Sequence, residues 1–142
     1  NARLDEIRAA IGRVQLRKLA AANARRAEVV AWYRAATAAR GIDTPFTKGR
    51  YGDGSHHLFV VLLPEGTDRL KLMAAMRDGG VQTSVHYPPT HRFTAYADAP
   101  ASLPVTDAVA ARLLTLPLGP SMTRAQVDRV MEVLDAGLAT AR

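Results

Sequence analysis

The sequence contains no cysteine. Disulfides, thiolate nucleophiles and sulfur-ligated zinc centres are therefore excluded, and a cytoplasmic setting is expected. Long apolar runs are also missing: no stretch approaches the roughly 18 residues that a membrane-crossing helix needs. Charges interrupt the first stretch throughout, unlike a secretory signal. Aromatic residues are few, at 6% with one tryptophan. Acidic groups are outnumbered, 13 against 19 basic ones, leaving a net charge of +6. The basic excess forms no run. Arg17-Lys18 and Arg25-Arg26 are adjacent pairs, and the remainder is spread along helical segments as solvated faces. That argues against a nucleic-acid module, which would require salt-dependent affinity for DNA or RNA. The charge does suit attraction of phosphorylated ligands. What remains is a chain of 142 residues, 48% hydrophobic and 23% charged, which suits one soluble domain with one core.

Leu4, Ile7, Ile11, Val14 and Leu19 recur at near-helical spacing, and Ala22, Val29, Tyr33 and Ala36 continue the stripe. Asp5 and Glu6 favour the positive end of a helix dipole, and Gly41 suits its stop. The pattern predicts one long or once-broken helix over Leu4–Arg40, about 55 Å end to end. So long a helix cannot bury its whole stripe on so small a domain, so part of it is expected to face a partner domain or subunit. Residues 43–55, with Pro45, Gly49, Gly52 and Gly54, read as a loop. Leu58–Leu63 is a continuous apolar run closed by Pro64, consistent with a buried strand. Thr67 is placed to cap a helix through Leu70, Met73 and Ala74 that ends at Gly79-Gly80. Val81, Thr83 and Val85 alternate with polar residues, the period of a strand. A proline-rich loop follows, then a short helix over Val105–Arg112 and a strand over Leu114–Leu118. Thr123 with Gln126 makes a capping box for a last helix with Val127, Val130, Met131, Leu134 and Leu138 along one stripe. Helices alternating with strands predict an α/β layer, a small sheet packed against helices. The division expected is a long helix over 1–41 and an α/β layer over 42–142.

The segment Ser84-Val85-His86-Tyr87-Pro88-Pro89-Thr90-His91 concentrates the chemistry. Two histidines and a tyrosine follow a predicted strand, a common position for a site. Histidine exchanges protons near neutral pH, and both residue types hydrogen-bond sugars and phosphates. The structural alternative is that His86 and His91 bond backbone groups and hold the loop in shape. His56 and His57 bring the histidines to four, but their spacing matches no metal motif, and no metal ligand is assigned. Trp32 and Tyr33 read as core or interface. Gly79-Gly80 and Gly52-x-Gly54 read as turns rather than phosphate-binding loops.

Several stretches taken together resemble a known family. They are Asn1-Ala2-Arg3-Leu4-Asp5-Glu6-Ile7-Arg8-Ala9-Ala10-Ile11-Gly12, Gln15-Leu16 with Leu19, Asn23-x-Arg25-Arg26, Tyr33, His57-Leu58-Phe59, Gly80-Val81-x-Thr83-Ser84-Val85-His86-Tyr87-Pro88 with His91, Leu116-Pro117-Leu118 and Met122-Thr123. In this order they are similar to the DegT/DnrJ/EryC1/StrS aminotransferases, which use pyridoxal phosphate (PLP) to aminate keto sugars attached to nucleotides, usually with glutamate as donor. The resemblance implies the C-terminal small domain of the aspartate-aminotransferase type (fold type I). It implies homodimers, here through the long helix, with active sites at the subunit interface. Asn1 matches the asparagine that reaches the cofactor phosphate of the other subunit, and Arg3 lies in the same stretch. His86, Tyr87 and His91 fall on the sugar-binding side, as substrate contacts rather than catalytic groups.

The same resemblance places the Schiff-base lysine, the carboxylate that pairs with the pyridine nitrogen and most of the phosphate site in a large domain that precedes this stretch. Lys18, Lys48 and Lys71 do not match that lysine. Pro89 also departs from the family pattern. The expectation is a chain that begins inside a family motif, lacks its large domain, assigns no catalytic residue and is inactive alone. Its alternatives are a stand-alone scaffold that binds a partner through the long helix, or part of a related sugar dehydratase in which histidine replaces the lysine.

Overall fold

The computed structural model describes residues 3–45, 54–99 and 101–141. Asn1, Lys48 and most of the glycine-rich loop predicted over 43–55 lie outside them. Helix α1 spans Glu6–Ala38, about 50 Å of unbroken helix at 1.5 Å per residue. Asp5 caps it by accepting from the Arg8 backbone amide at 2.8 Å. At the far end the chain turns through Gly41, whose φ of +65° is a conformation open to glycine.

Two short strands, β1 (Phe59–Leu62) and β2 (Leu113–Leu116), pair antiparallel with Phe59 opposite Leu116 and Leu62 opposite Leu113. Single bridges extend the ladder on both sides, Asp43 to Leu62 and Ser84 to Thr115. The strand expected over Val81–Val85 is reduced to that last bridge. The reason is local: the Val81 amide is committed to Met76 O at 2.8 Å, closing helix α2, and Pro88-Pro89 cannot donate to a ladder. The second strand also ends earlier than its apolar run, because Pro117 follows Leu116.

Helix α2 spans Arg69–Asp78. Its cap is Asp68, not Thr67. The Asp68 carboxylate accepts from the Leu70 and Lys71 amides at 3.0 and 3.1 Å, while the Thr67 hydroxyl donates to Pro64 O in the preceding turn. Helix α3 spans Pro104–Arg112, with proline at its first position. Helix α4 spans Arg124–Thr140 and carries the expected Thr123/Gln126 capping box.

The core gathers the second half of α1, β1, β2, α2 and α4. Tyr33 stacks on Phe59 with ring centroids 4.7 Å apart and donates its hydroxyl to Pro117 O at 2.8 Å. Burial pushes the Tyr33 hydroxyl far above its ordinary pKa, so the ring enters the core as a neutral donor. Leu72 and Met76 of α2 meet Val130, Met131 and Leu134 in one buried cluster. Gly137 permits the close approach of α4, since a Cβ there would lie 2.6 Å from Leu72 Cδ1. Arg40 clamps α1 to α4 through both carboxylate oxygens of Asp135 at 2.9–3.0 Å. Arg25 lies over Trp32 at 4.8 Å and donates to Met122 O at 2.7 Å, tying mid-α1 to the loop before α4.

Candidate functional site

The histidine- and tyrosine-bearing segment leaves the sheet at Ser84, which exchanges backbone hydrogen bonds with Thr115 at 2.8 and 3.2 Å. Thr115 is the one polar residue in the run Leu113–Leu116, and it is buried. Its hydroxyl lies 3.1 Å from His86 Nδ1, with Ser84 Oγ at 3.4 Å. His86 is thereby fixed by the sheet. Its ring meets the Tyr87 ring edge to face, with centroids 4.8 Å apart. Tyr87 itself is exposed, so its hydroxyl is available to a ligand. Pro88 and Pro89 then stiffen the chain before two single turns of 3₁₀ helix, Thr90–Arg92 and Thr94–Tyr96.

His91 is turned inward. Its side chain is 12% exposed, with Nε2 3.1 Å from Asp107 Oδ1, and Arg92 Nη2 reaches the same oxygen at 2.8 Å. Asp107 Oδ1 is buried and has no aligned hydrogen bond among the described residues, so the two nitrogens approach it closely without ideal hydrogen-bond geometry, and the Arg92 guanidinium forms an ion pair with it. The structure thus brings His86, Tyr87 and His91 onto one continuous segment, held at one end by Thr115 and at the other by Asp107. His56 and His57 sit ahead of β1, and no group of three or more metal-ligating side chains forms among the described residues.

An open cavity of about 790 Å³ lies beside the start of this segment. Gln82, Thr83 and Ser84 line one wall, Leu118 another, and Gln126 and Arg129 of α4 a third. Thr83 Oγ1 is buried beside it without a hydrogen-bond partner among the described residues. The cavity is a concave, mixed surface with one cation.

Arg3 lies in exposed chain ahead of α1, far from the sheet in sequence. Asn1 lies outside the described residues. Lys18 is on an exposed turn of α1, and Lys71 is on the surface of α2 with its amine 3.9 Å from Asp68. No lysine and no carboxylate lines the cavity among the described residues. These residues therefore do not by themselves fit a PLP site, which needs an amine for the imine and a counter-charge for the ring nitrogen.

Sequence reasoning missed Asp107, Arg92 and Thr115. Thr115 had a legible signal, a lone hydroxyl inside an apolar strand. Asp107 had none, because an acidic residue in the first turn of a helix is ordinary dipole chemistry.

Comparison with known proteins gives a consistent result. The sequence model of the DegT/DnrJ/EryC1/StrS aminotransferase family matches residues 1–135. The erythromycin biosynthesis sensory transduction protein EryC1 of Saccharopolyspora erythraea is 43% identical over 96% of this chain, which covers 38% of that relative. Among solved structures, DesV of S. venezuelae in complex with a ketimine intermediate is 35% identical with a TM-score of 0.81, and 94% of this chain covers 36% of it. PseC of Helicobacter pylori, an aminotransferase of pseudoaminic acid biosynthesis, has a TM-score of 0.86 at 21% identity, covering 97% of this chain and 38% of that one, a likeness of fold. The chain thus spans little more than a third of the length of these relatives. Its fold is the small α/β domain of the aspartate-aminotransferase type, with the long leading helix that the sequence predicted. By the match over residues 1–135, the chain belongs to the DegT/DnrJ/EryC1/StrS aminotransferase family.

Proposed function

We propose that this chain is the C-terminal small domain, residues 1–142, of a PLP-dependent aminotransferase that aminates nucleotide-linked keto sugars, and that it is inactive without a large domain. The observation that carries this reading is the family match over nearly the whole chain, combined with the placement of Lys18 and Lys71, the lysines among the described residues, away from the cavity. When bound in a complete enzyme, PLP supplies the electron sink for moving an amine between donor and sugar.

The roles assigned to this chain are binding and positioning. The Asn1 amide and the Arg3 guanidinium are donors suited to a cofactor phosphate, reaching the neighbouring subunit of a homodimer. The exposed Tyr87 hydroxyl, with His86 behind it, faces the sugar side, and His91 closes the same segment. The exposed apolar turns of α1 serve as the seat for the large domain and for the second subunit. A cytoplasmic location suits a cysteine-free protein of this kind. No helix among the described residues is long and apolar enough to cross a membrane.

The test is direct. Purified 142-residue chain is mixed with PLP, scanned for an imine absorbance band and treated with borohydride. The expected result is no stoichiometric adduct. A single lysine trapped at one equivalent, or unaided conversion of a keto sugar to an amino sugar, overturns the proposal.

A further inference from the structure

We infer that Asp107 is a positioning residue for substrate binding, because it is the tether that holds the Tyr87–Tyr96 segment against α3. The sugar-side role of that segment rests on the proposed function; the tether itself does not.

The argument begins with how little else fixes the segment. From Tyr87 to Ala99 the backbone hydrogen bonds are local: Arg92 to Pro89, Phe93 to Thr90, Tyr96 to Phe93, Ala97 to Thr94 and Ala99 to Tyr96. Isolated 3₁₀ turns of this kind have poor hydrogen-bond geometry and little stability of their own. Apolar anchoring is weak too, since Tyr87, Phe93 and Tyr96 are all exposed. Among the described residues, the polar contacts that leave this stretch for the rest of the fold are His91 and Arg92, and both converge on Asp107 Oδ1.

That oxygen is buried, so water does not serve it directly, although the Asp107 side chain as a whole is 31% exposed. Its close partners are the two nitrogens at 2.8 and 3.1 Å, and an acceptor cut off from water loses stability when such partners are removed. Asp107 also lies in the first turn of α3, where the helix dipole favours a carboxylate. The position of the tether is passed back along the chain mechanically. Pro88 and Pro89 have fixed φ, so the place of Thr90–Arg92 limits where Tyr87 can point. At the other end His86 is held by Thr115. The segment is a strap fastened at two points, and Asp107 is the fastening farther from the sheet.

The experiment uses Asp107→Asn, which keeps the shape and removes the charge, with Asp107→Glu as the conservative rescue. Amide hydrogen exchange is followed in the 142-residue chain, and steady-state kinetics in an enzyme that joins this chain to a large domain, as the proposed function requires. Asp107→Asn should speed exchange at Arg92–Ala97 by about tenfold, leave α2 and α4 unchanged, and raise KM for the nucleotide sugar with kcat within about twofold. Asp107→Glu should restore part of both. Unchanged exchange at Arg92–Ala97 overturns the inference, and so does faster exchange with unchanged KM. Should Asp107→Asn not fold, judged by helical circular dichroism, Arg92→Gln removes one of the two contacts and must still loosen the strap; no loosening overturns it. A wild-type enzyme that joins this chain to a large domain and still aminates no nucleotide-linked keto sugar would sink the proposed function instead, and the exchange measurement would still decide the tether.

Discussion

The two halves of α1 are alike as sequence and opposite as structure. Both carry apolar residues at helical spacing. In the second half Val29, Val30, Tyr33 and Thr37 are buried, packed on the sheet and on α4. In the first half the same kind of stripe stands in solvent, with Ile7 75% exposed and Ile11 57% exposed. A helix does not bury a face by having one. It buries it where another element supplies the opposing surface, and the rest of this domain reaches α1 as far toward its start as mid-helix, where Arg25 meets Met122 in the loop before α4. Contiguous exposed apolar surface of this sort marks an interaction site. It accords with a chain that spans little more than a third of its relatives.

The contrast can be tested most severely in the buried half. Tyr33→Ala removes a ring that is fully buried, stacked on Phe59 and hydrogen-bonded to Pro117 O. It should cost about 3–5 kcal/mol, read as a fall in the urea midpoint, and a loss below about 1 kcal/mol would break the comparison.

A pH titration sharpens the same point. Burial raises the Tyr33 pKa above its ordinary value of 10.0, so the folded state keeps its proton after the unfolded chain has lost it. The contribution is fully present below pH 10 and declines above it, by roughly 1.4 kcal/mol per pH unit. Wild type should therefore lose stability relative to Tyr33→Phe in alkaline urea titrations, and parallel curves would contradict the buried neutral hydroxyl.

The smallest effect is expected in the exposed half. Ile7→Ser with Ile11→Ser should change the unfolding free energy by less than about 0.5 kcal/mol per site. The same pair should abolish self-association. By size-exclusion chromatography at high concentration the unmodified chain is expected to run larger than a monomer and the double variant as a monomer. A clean monomer in both would remove the reading of the stripe as a docking face.

Much of this architecture was legible beforehand, for reasons that can be named residue by residue. The 3.6-residue stripe of α1, the apolar run at β1 and the Thr123/Gln126 capping box are local patterns, and local patterns survive folding. The cap of α2 was misplaced by one residue because Thr67 and Asp68 both offer an oxygen, and the turn at Pro64 claims the first. The expectation of a strand over Val81–Val85 failed because its alternation says nothing about a competing bond from Val81 to Met76 O. At the candidate site, His86, Tyr87 and His91 stood out by composition and by family resemblance. Their partners Thr115 and Asp107 lie 29 and 16 residues away in the chain, a separation that no periodicity reports.

The sequence by itself determined the helices, the Thr123/Gln126 capping box and the family, because these rest on short-range spacing and on residue identity in order. Only the tertiary structure decided which half of α1 is core, how the strap from Tyr87 to Tyr96 is fastened, and that the lysines Lys18 and Lys71 stand away from the cavity. Burial and charge pairing depend on which surfaces meet, and that is fixed when the chain closes on itself.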